Sequence, residues 1–146
     1  DRARGALSAT RQRAMRQLEQ RILIGRPASD VVRSNLGSID AVLLPAFETA
    51  FTHARELTFS YVDWHGAPTS RRIECVALML HSPAWYVVAW DLDKDAPRVF
   101  RMDRIVDAAV GEALAEDLHP LPLVIEQACP DDVAAYASWM GVAIGG

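Results

Sequence analysis

The feature that most constrains this chain is a change of hydrophobic period near its middle. Behind Pro45, well suited to a first helical position, Phe47, Ala50, Phe51 and Ala54 recur at helical spacing, so a helix ending near Arg55 is expected. From Leu57 the period drops to two. Leu57, Phe59 and Tyr61 alternate with Thr58, Ser60 and Val62, and residues 63–68 supply a polar Gly/Pro turn. Further strands are expected at 69–80, 85–91 and 98–102, separated by His81-Ser82-Pro83 and by a turn at 93–97. Connections this short leave no room for helical crossovers, so the strands form an antiparallel meander that closes into a small barrel. The expected fold class is α+β, a barrel with flanking helices.

On the N-terminal side, Ala14, Met15, Leu18 and Ile22 form an apolar stripe, which predicts an amphipathic helix over 10–23, capped by Ser8 or Thr10 and stopped by Gly25 and Pro27. A narrow stripe of this kind needs a surface to lie on, so self-association through Met15, Leu18 and Ile22 is expected. Residues 24–44 read as a connector with one short helical turn. Beyond Ile105 the chain is acidic and Ala-rich, with a strand expected at 123–125 and a last helix at 130–140. The net charge of -4 is unevenly spread: residues 1–33 hold eight arginines against Asp1, Glu19 and Asp30, whereas residues 105–146 hold seven acids and no Lys or Arg. The basic segment is read as the wet side of a helix rather than as a nucleic-acid contact.

Several classes are excluded. The nearly uncharged run 76–90 contains His, Ser and Pro and falls short of the roughly 18 apolar residues of a spanning helix. Opening on Asp1 without a basic leader, the chain is expected to be a cytoplasmic piece of a longer protein. Cys75 and Cys129 lack any paired spacing, so both are read as reduced and buried, with Cys75 on one strand face beside Ile73, Ala77 and Met79. His53, His65, His81 and His119 have no partners at ligand spacing, and Asp91, Asp93 and Asp95 lack the Gly and distal Glu of a calcium loop and read as a solvated turn. No metal, cofactor or nucleophile motif is present in the sequence.

What remains is a set of arginines among aromatics on the expected strands: Arg71 and Arg72, then Trp85, Tyr86 and Trp90, then Arg98, Phe100, Arg101 and Arg104. Arginine forks bind phosphate and stack on bases, and Tyr and Trp offer flat faces, so the mixture suits a nucleotide or a single strand. The alternative, aromatics in the core and arginines on the surface, fits composition equally well. Alternation places Trp85, Val87 and Ala89 opposite Tyr86, Val88 and Trp90, and Arg98 with Phe100 opposite Arg101.

The order Tyr61, Asp63, Gly66, Ser70, Arg71, Trp85, Tyr86, Val87, Arg98, Phe100, Arg101, Asp103, Arg104, Ile105 resembles the WYL domain of bacterial helix-turn-helix transcription regulators, with Val87 in place of the motif's Leu. The resemblance implies an Sm-like or SH3-like barrel over 45–110, a linking helical region over 1–44, an extension of unclear class over 111–146, and a DNA-binding domain outside the chain. It implies a non-catalytic ligand-sensing role in a homodimer, with a nucleic acid or nucleotide effector held by Arg71, Tyr86, Arg98, Arg101 and Arg104. Arg71, Tyr86 and Arg101 are the expected centre, Arg98 and Arg104 its flanks. Promoter DNA would be reached through the outside domain, and no cofactor is implied. Two rivals stay open: an Sm-like RNA-binding protein, and a phosphodiesterase using the arginines, for which no general base stands nearby.

Overall fold

The protein, a computed structural model, is described over residues 21–63, 65–115 and 119–128. Its elements are β1 (Ile22–Ile24), α1 (Asp30–Ser34), α2 (Leu43–Thr52), β2 (Arg55–Val62), β3 (Pro68–His81), β4 (Ala84–Asp91), β5 (Ala96–Arg101), a 3-10 turn (Met102–Arg104), β6 (Ile105–Ala113) and α3 (Leu121–Ala128). The fold is α+β, and the strands follow the order β5-β4-β3-β2-β6 with antiparallel neighbours throughout. β3 is long enough to serve two partners on one side: β2 along its first half, and β1, in parallel, at Leu78–Leu80. No ladder joins β5 to β6 among the described residues, so backbone pairing leaves the sheet open where a closed barrel was expected.

The sheet buries both faces. On one, α2 lays Leu43, Ala46, Phe47 and Ala50 against Leu57, Phe59, Ile73, Cys75, Val87, Phe100 and Ile105. On the other, Leu23, Val76, Ala77, Met79, Val88 and Trp90 pack with Leu121 and Val124 of α3. Trp85 joins the first core and Tyr86 the second, as alternation requires. A bulge divides β3 between the cores. The register steps from Cys75 opposite Ala89 to Ala77 opposite Val88. Cys75 therefore shares its face with Ile73, while Ala77 and Met79 turn to the other core, which corrects the single face expected from unbroken alternation.

Other differences have equally local causes. Ile22 and Leu23, expected in a helix, form β1, because Ile22 can enter the first core and Leu23 the second only if they alternate. β6 lies where no strand is expected. Its pairing skips from Thr58 opposite Ala109 to Ser60 opposite Val106, and Asp107 sits in this bulge at φ +56°. Ile105 and Ala108, the residues it buries there, are thus three apart and hide the period of two. Leu121 and Val124 are likewise three apart, but for the opposite reason: the segment is α3, which absorbs the strand expected at 123–125. Asp91, expected in a solvated turn, is buried, and its Oδ1 accepts from the Asp93 and Lys94 N–H groups. Residues 10–20 of the helix expected over 10–23, with Met15 and Leu18, and Cys129 and the helix expected over 130–140 lie outside the described residues.

Among the described residues no helix is long and apolar enough to cross a membrane. Phe47 is fully buried between α2 and the sheet and stacks on Phe51 at 6.2 Å. Phe47→Ala is expected to cost about 3–5 kcal/mol of stability in a urea melt, whereas Val31→Ala, at an exposed position, should stay within about 0.5 kcal/mol. Equal midpoints for the two variants would show that α2 is not part of the cooperative core.

Candidate ligand-binding site

The motif that opens the β2–β3 turn is built for geometry. The Asp63 carboxylate accepts from the His65 N–H at 2.9 Å and the Ala67 N–H at 3.4 Å, and Gly66 supplies the positive φ of 81° that the turn needs. Two residues earlier, the Tyr61 hydroxyl accepts the Arg101 N–H at 3.1 Å, bridging β2 and β5 where no ladder does. The ring of Tyr61 lies 5.0 Å from Phe100, edge to face, and Phe59 stands 5.2 Å from the same ring. The sheet is curled so that its second and fifth strands meet.

The five arginine and tyrosine positions fall into two groups. In the first, Tyr86 of β4 and Arg101 of β5 are direct cross-strand neighbours. Tyr86 is half-buried, and the edge of its ring meets His81 at 5.4 Å. Burial pushes its phenol above the ordinary tyrosine value, and the nearby charges of Arg101 and Arg104 oppose that rise. The phenol therefore stays neutral at physiological pH, a flat ring with one polar tip beside two guanidinium groups. In the second group, Arg71 of β3 pairs with Phe59 across the first-core face, opposite to the face of Tyr86. Its guanidinium lies 5.5 Å over the Phe100 ring, donating to Thr69 Oγ1 at 3.1 Å and to the buried Asp91 at 3.3 Å. Arg98 is exposed and, two residues before Phe100 on β5, belongs to that side. No contact joins Arg71 to Tyr86 among the described residues.

Arg101 is the most committed of the set. Its Nε and Nη2 donate to the two oxygens of Asp103 at 3.0 and 2.7 Å, and its Nη1 donates to Asn35 Oδ1 at 2.9 Å. Both side chains of the pair are nearly buried, 9% and 5% exposed. Asp103 Oδ2 also accepts the Gly37 N–H at 2.9 Å. Burial alone would raise the Asp103 carboxyl, but the hydrogen bonds from Arg101 and Gly37 and the charge of Arg101 outweigh it and hold the group below its ordinary value. Arg98 and Arg104, by contrast, have no carboxylate partner among the described residues.

Two polar features have little or no signature in the sequence. Glu74, buried, faces Glu56 across the β2–β3 ladder; it accepts from the His119 ring and backbone N–H at 2.7 and 2.8 Å, and His119 stacks on Trp90 at 3.8 Å. A cavity of about 190 Å³ adjoins them, lined also by Arg72 and Asp95. Arg72 is taken up by Glu56 at 2.9 Å and Asp93 at 3.0 Å. The only sequence signal is the His119-Pro120 pair itself, since its partner lies 45 residues away. Among the described residues no three His, Cys, Asp or Glu side chains gather as a metal site.

Compared with known protein families, residues 42–110 match the WYL domain. This chain contains a WYL domain. The chain is also 33% identical over 111 residues to Protein PafC of Mycobacterium tuberculosis, in two strains, a match that covers 65% of this chain and 34% of that protein. It thus spans about a third of the length of the curated relatives it matches. Among solved structures, proteasome accessory factor B/C (PafBC) of Arthrobacter aurescens aligns at a TM-score of 0.48 and 23% identity, over 62% of this chain and 16% of that one. In this WYL domain the tyrosine of the motif is Tyr86; Arg101 is its ladder partner, and the charges of Arg101 and Arg104 reach its hydroxyl.

The Asp103 clamp has a defined pH window. Because its folded value is depressed, its stabilising contribution is fully present above the ordinary carboxylate value of about 3.9 and is lost as pH falls through the folded value below that. A carboxyl-carbon NMR titration should therefore place the Asp103 midpoint below about 3.9, with the Gly37 amide protected from exchange throughout roughly pH 5–8. A midpoint above the ordinary value would mean that the Arg101 pair is not formed in solution.

Proposed function

We propose that this chain is the ligand-sensing part of a bacterial transcription regulator, binding a nucleic acid or nucleotide without catalysis. The observation that carries the reading is Tyr86: a half-exposed ring directly across the ladder from Arg101, at the end of β5 that leads through Asp103 to Arg104, whose guanidinium has no carboxylate partner among the described residues. A base can stack on the ring while a phosphate takes Arg104, with Arg101 behind it. Arg98 and Arg71, on the other side of β5, offer a further cationic contact to a longer strand. That Asp103 is engaged by Arg101 and Gly37 supports a binding role over hydrolysis, since the carboxylate nearest the site is not free to act on water. The strand order, with β5 curled back to β2, supports an Sm-like scaffold. The regulator reading includes a cytoplasmic homodimer that reaches promoter DNA through a domain outside this chain.

Fluorescence anisotropy against short single strands, duplexes and nucleotides at two salt concentrations tests the site. Tyr86→Ala should weaken binding by about 1–3 kcal/mol and leave the salt slope unchanged, whereas Arg104→Ala should weaken it and lower the slope by about 0.7 for each phosphate no longer neutralised. Arg98→Ala should behave as Arg104→Ala for strands and not for mononucleotides. If neither the parent nor its folded Asp103→Asn variant binds anything in the panel, the binding reading falls; if folded Tyr86→Ala and Arg104→Ala bind as the parent does, the site is elsewhere.

A further inference from the structure

The segment between Ala28 and Leu43 contains no buried residue. Its short helix α1 buries nothing, and Val31 is 71% exposed. Ala28 is fixed by a hydrogen bond from its N–H to the Ser82 carbonyl, and Leu43 by burial under α2. Between these anchors, the hydrogen bonds that tie the segment to the sheet among the described residues run through one ion pair: Asn35 accepts from Arg101 through its side chain and, at 3.4 Å, its carbonyl, and the Gly37 N–H donates to Asp103. A segment with so little apolar burial depends on its few polar ties, so their loss releases it from the sheet.

The Arg101–Asp103 pair also has the form of an occupied anion site. Nε and Nη2 reach the two oxygens of one carboxylate side by side, the bidentate arrangement a guanidinium equally offers to phosphate. It lies directly across the ladder from Tyr86, with Arg104 one residue beyond Asp103.

We propose that Asp103 is an internal stand-in for the ligand's phosphate, so that ligand capture at Arg101 displaces Asp103 and frees Asn35 and Gly37, releasing residues 29–42 from the sheet. The proposal rests on the binding reading given above and adds its regulation. A phosphate wins the exchange because it brings a second contact, to Arg104, and because the ligand's base adds the Tyr86 stack, neither of which Asp103 supplies. Linkage makes the coupling reciprocal: whatever holds the segment down weakens the ligand, and whatever loosens it tightens the ligand by the same factor.

The test pairs anisotropy with amide exchange by NMR, using a labelled single strand of about ten thymidylates as the probe. In the parent chain, saturating probe should speed exchange of the Gly37 amide. Asp103→Asn, which keeps the shape and removes the charge, should bind the probe roughly fivefold or more tightly and show fast Gly37 exchange with or without it. Asn35→Ala leaves the ion pair intact and should tighten binding by roughly two- to tenfold. Should Asp103→Asn fail to fold, Asn35→Ala decides alone, and unchanged or weaker binding there overturns the coupling. Binding that leaves Gly37 protected, or a folded Asp103→Asn no tighter than the parent, also overturns it while the binding site stands. If none of the three proteins binds the probe, the binding reading falls and the coupling with it; binding by Asp103→Asn alone supports the stand-in.

Discussion

Three aromatic rings hold the edge strand β5 over β2, three places away in the sheet. Phe59 and Tyr61 on β2 meet Phe100 on β5 edge to face at 5.2 and 5.0 Å, although β3 and β4 lie between those strands in the ladder. Edge-to-face pairs contribute about 0.5–1.5 kcal/mol each beyond their buried area, so the contact is strong enough to hold the curl without a ladder across the gap. The Tyr61 hydroxyl completes it by accepting the Arg101 N–H, a donor that would otherwise be left at the rim of the core. Everything near Tyr86 follows from this closure: it places the end of β5, hence the 3-10 turn, hence Asp103 beside Arg101.

This explains why a motif that looks like a binding signature is largely architectural. Asp63 and Gly66 build a turn, Phe100 and Ile105 are core, and Arg101 and Asp103 clamp a connector. An arginine that holds a carboxylate bidentately cannot be replaced by lysine without losing the fork, so such a position is constrained by structure as tightly as by ligand. Residue type alone does not separate the two roles. What separates them is the partner: Arg101 has one, and Arg98 and Arg104 have no carboxylate among the described residues.

The same distinction marks how far the sequence can be read. β2 is legible because its apolar and polar residues alternate, and β4, β5 and the first half of β3 because turn residues bound short apolar or β-branched runs; the split of Tyr86 from Trp85 follows from strand alternation. β6 and the second half of β3 are not, because a bulge inserts one residue and reverses every face beyond it. The residue types of the candidate site are visible in the sequence, and alternation already parts Arg98 from Arg101, but the place of Arg71 is not visible. The motif sets Arg71 with Tyr86 and Arg101, whereas curling carries its guanidinium over Phe100 on the other face. Asn35 and Gly37 give no signal, since each meets its partner across 66 residues of chain.

A second charge arrangement shows the same economy further along the same face of the sheet, where Glu74 pairs with Trp90. Glu56 and Glu74 stand directly opposite in the β2–β3 ladder, a like-charge pair that is destabilising unless each finds a cation or donor. Arg72 takes Glu56, and His119, pressed on Trp90, takes Glu74 with both its ring and its backbone N–H. Because Glu74 is buried, losing His119 would leave its carboxylate desolvated and short of donors, so the chain just before α3 is held by the cost of release as well as by the packing of Leu121 and Val124. The connector at 29–42 lacks that second hold. Its clamp has the same chemistry, a carboxylate with a bidentate partner, but no apolar residue of the segment is buried behind it. Of the two segments laid on this sheet by a carboxylate, the one beside Tyr86 is therefore the one an incoming anion can set free.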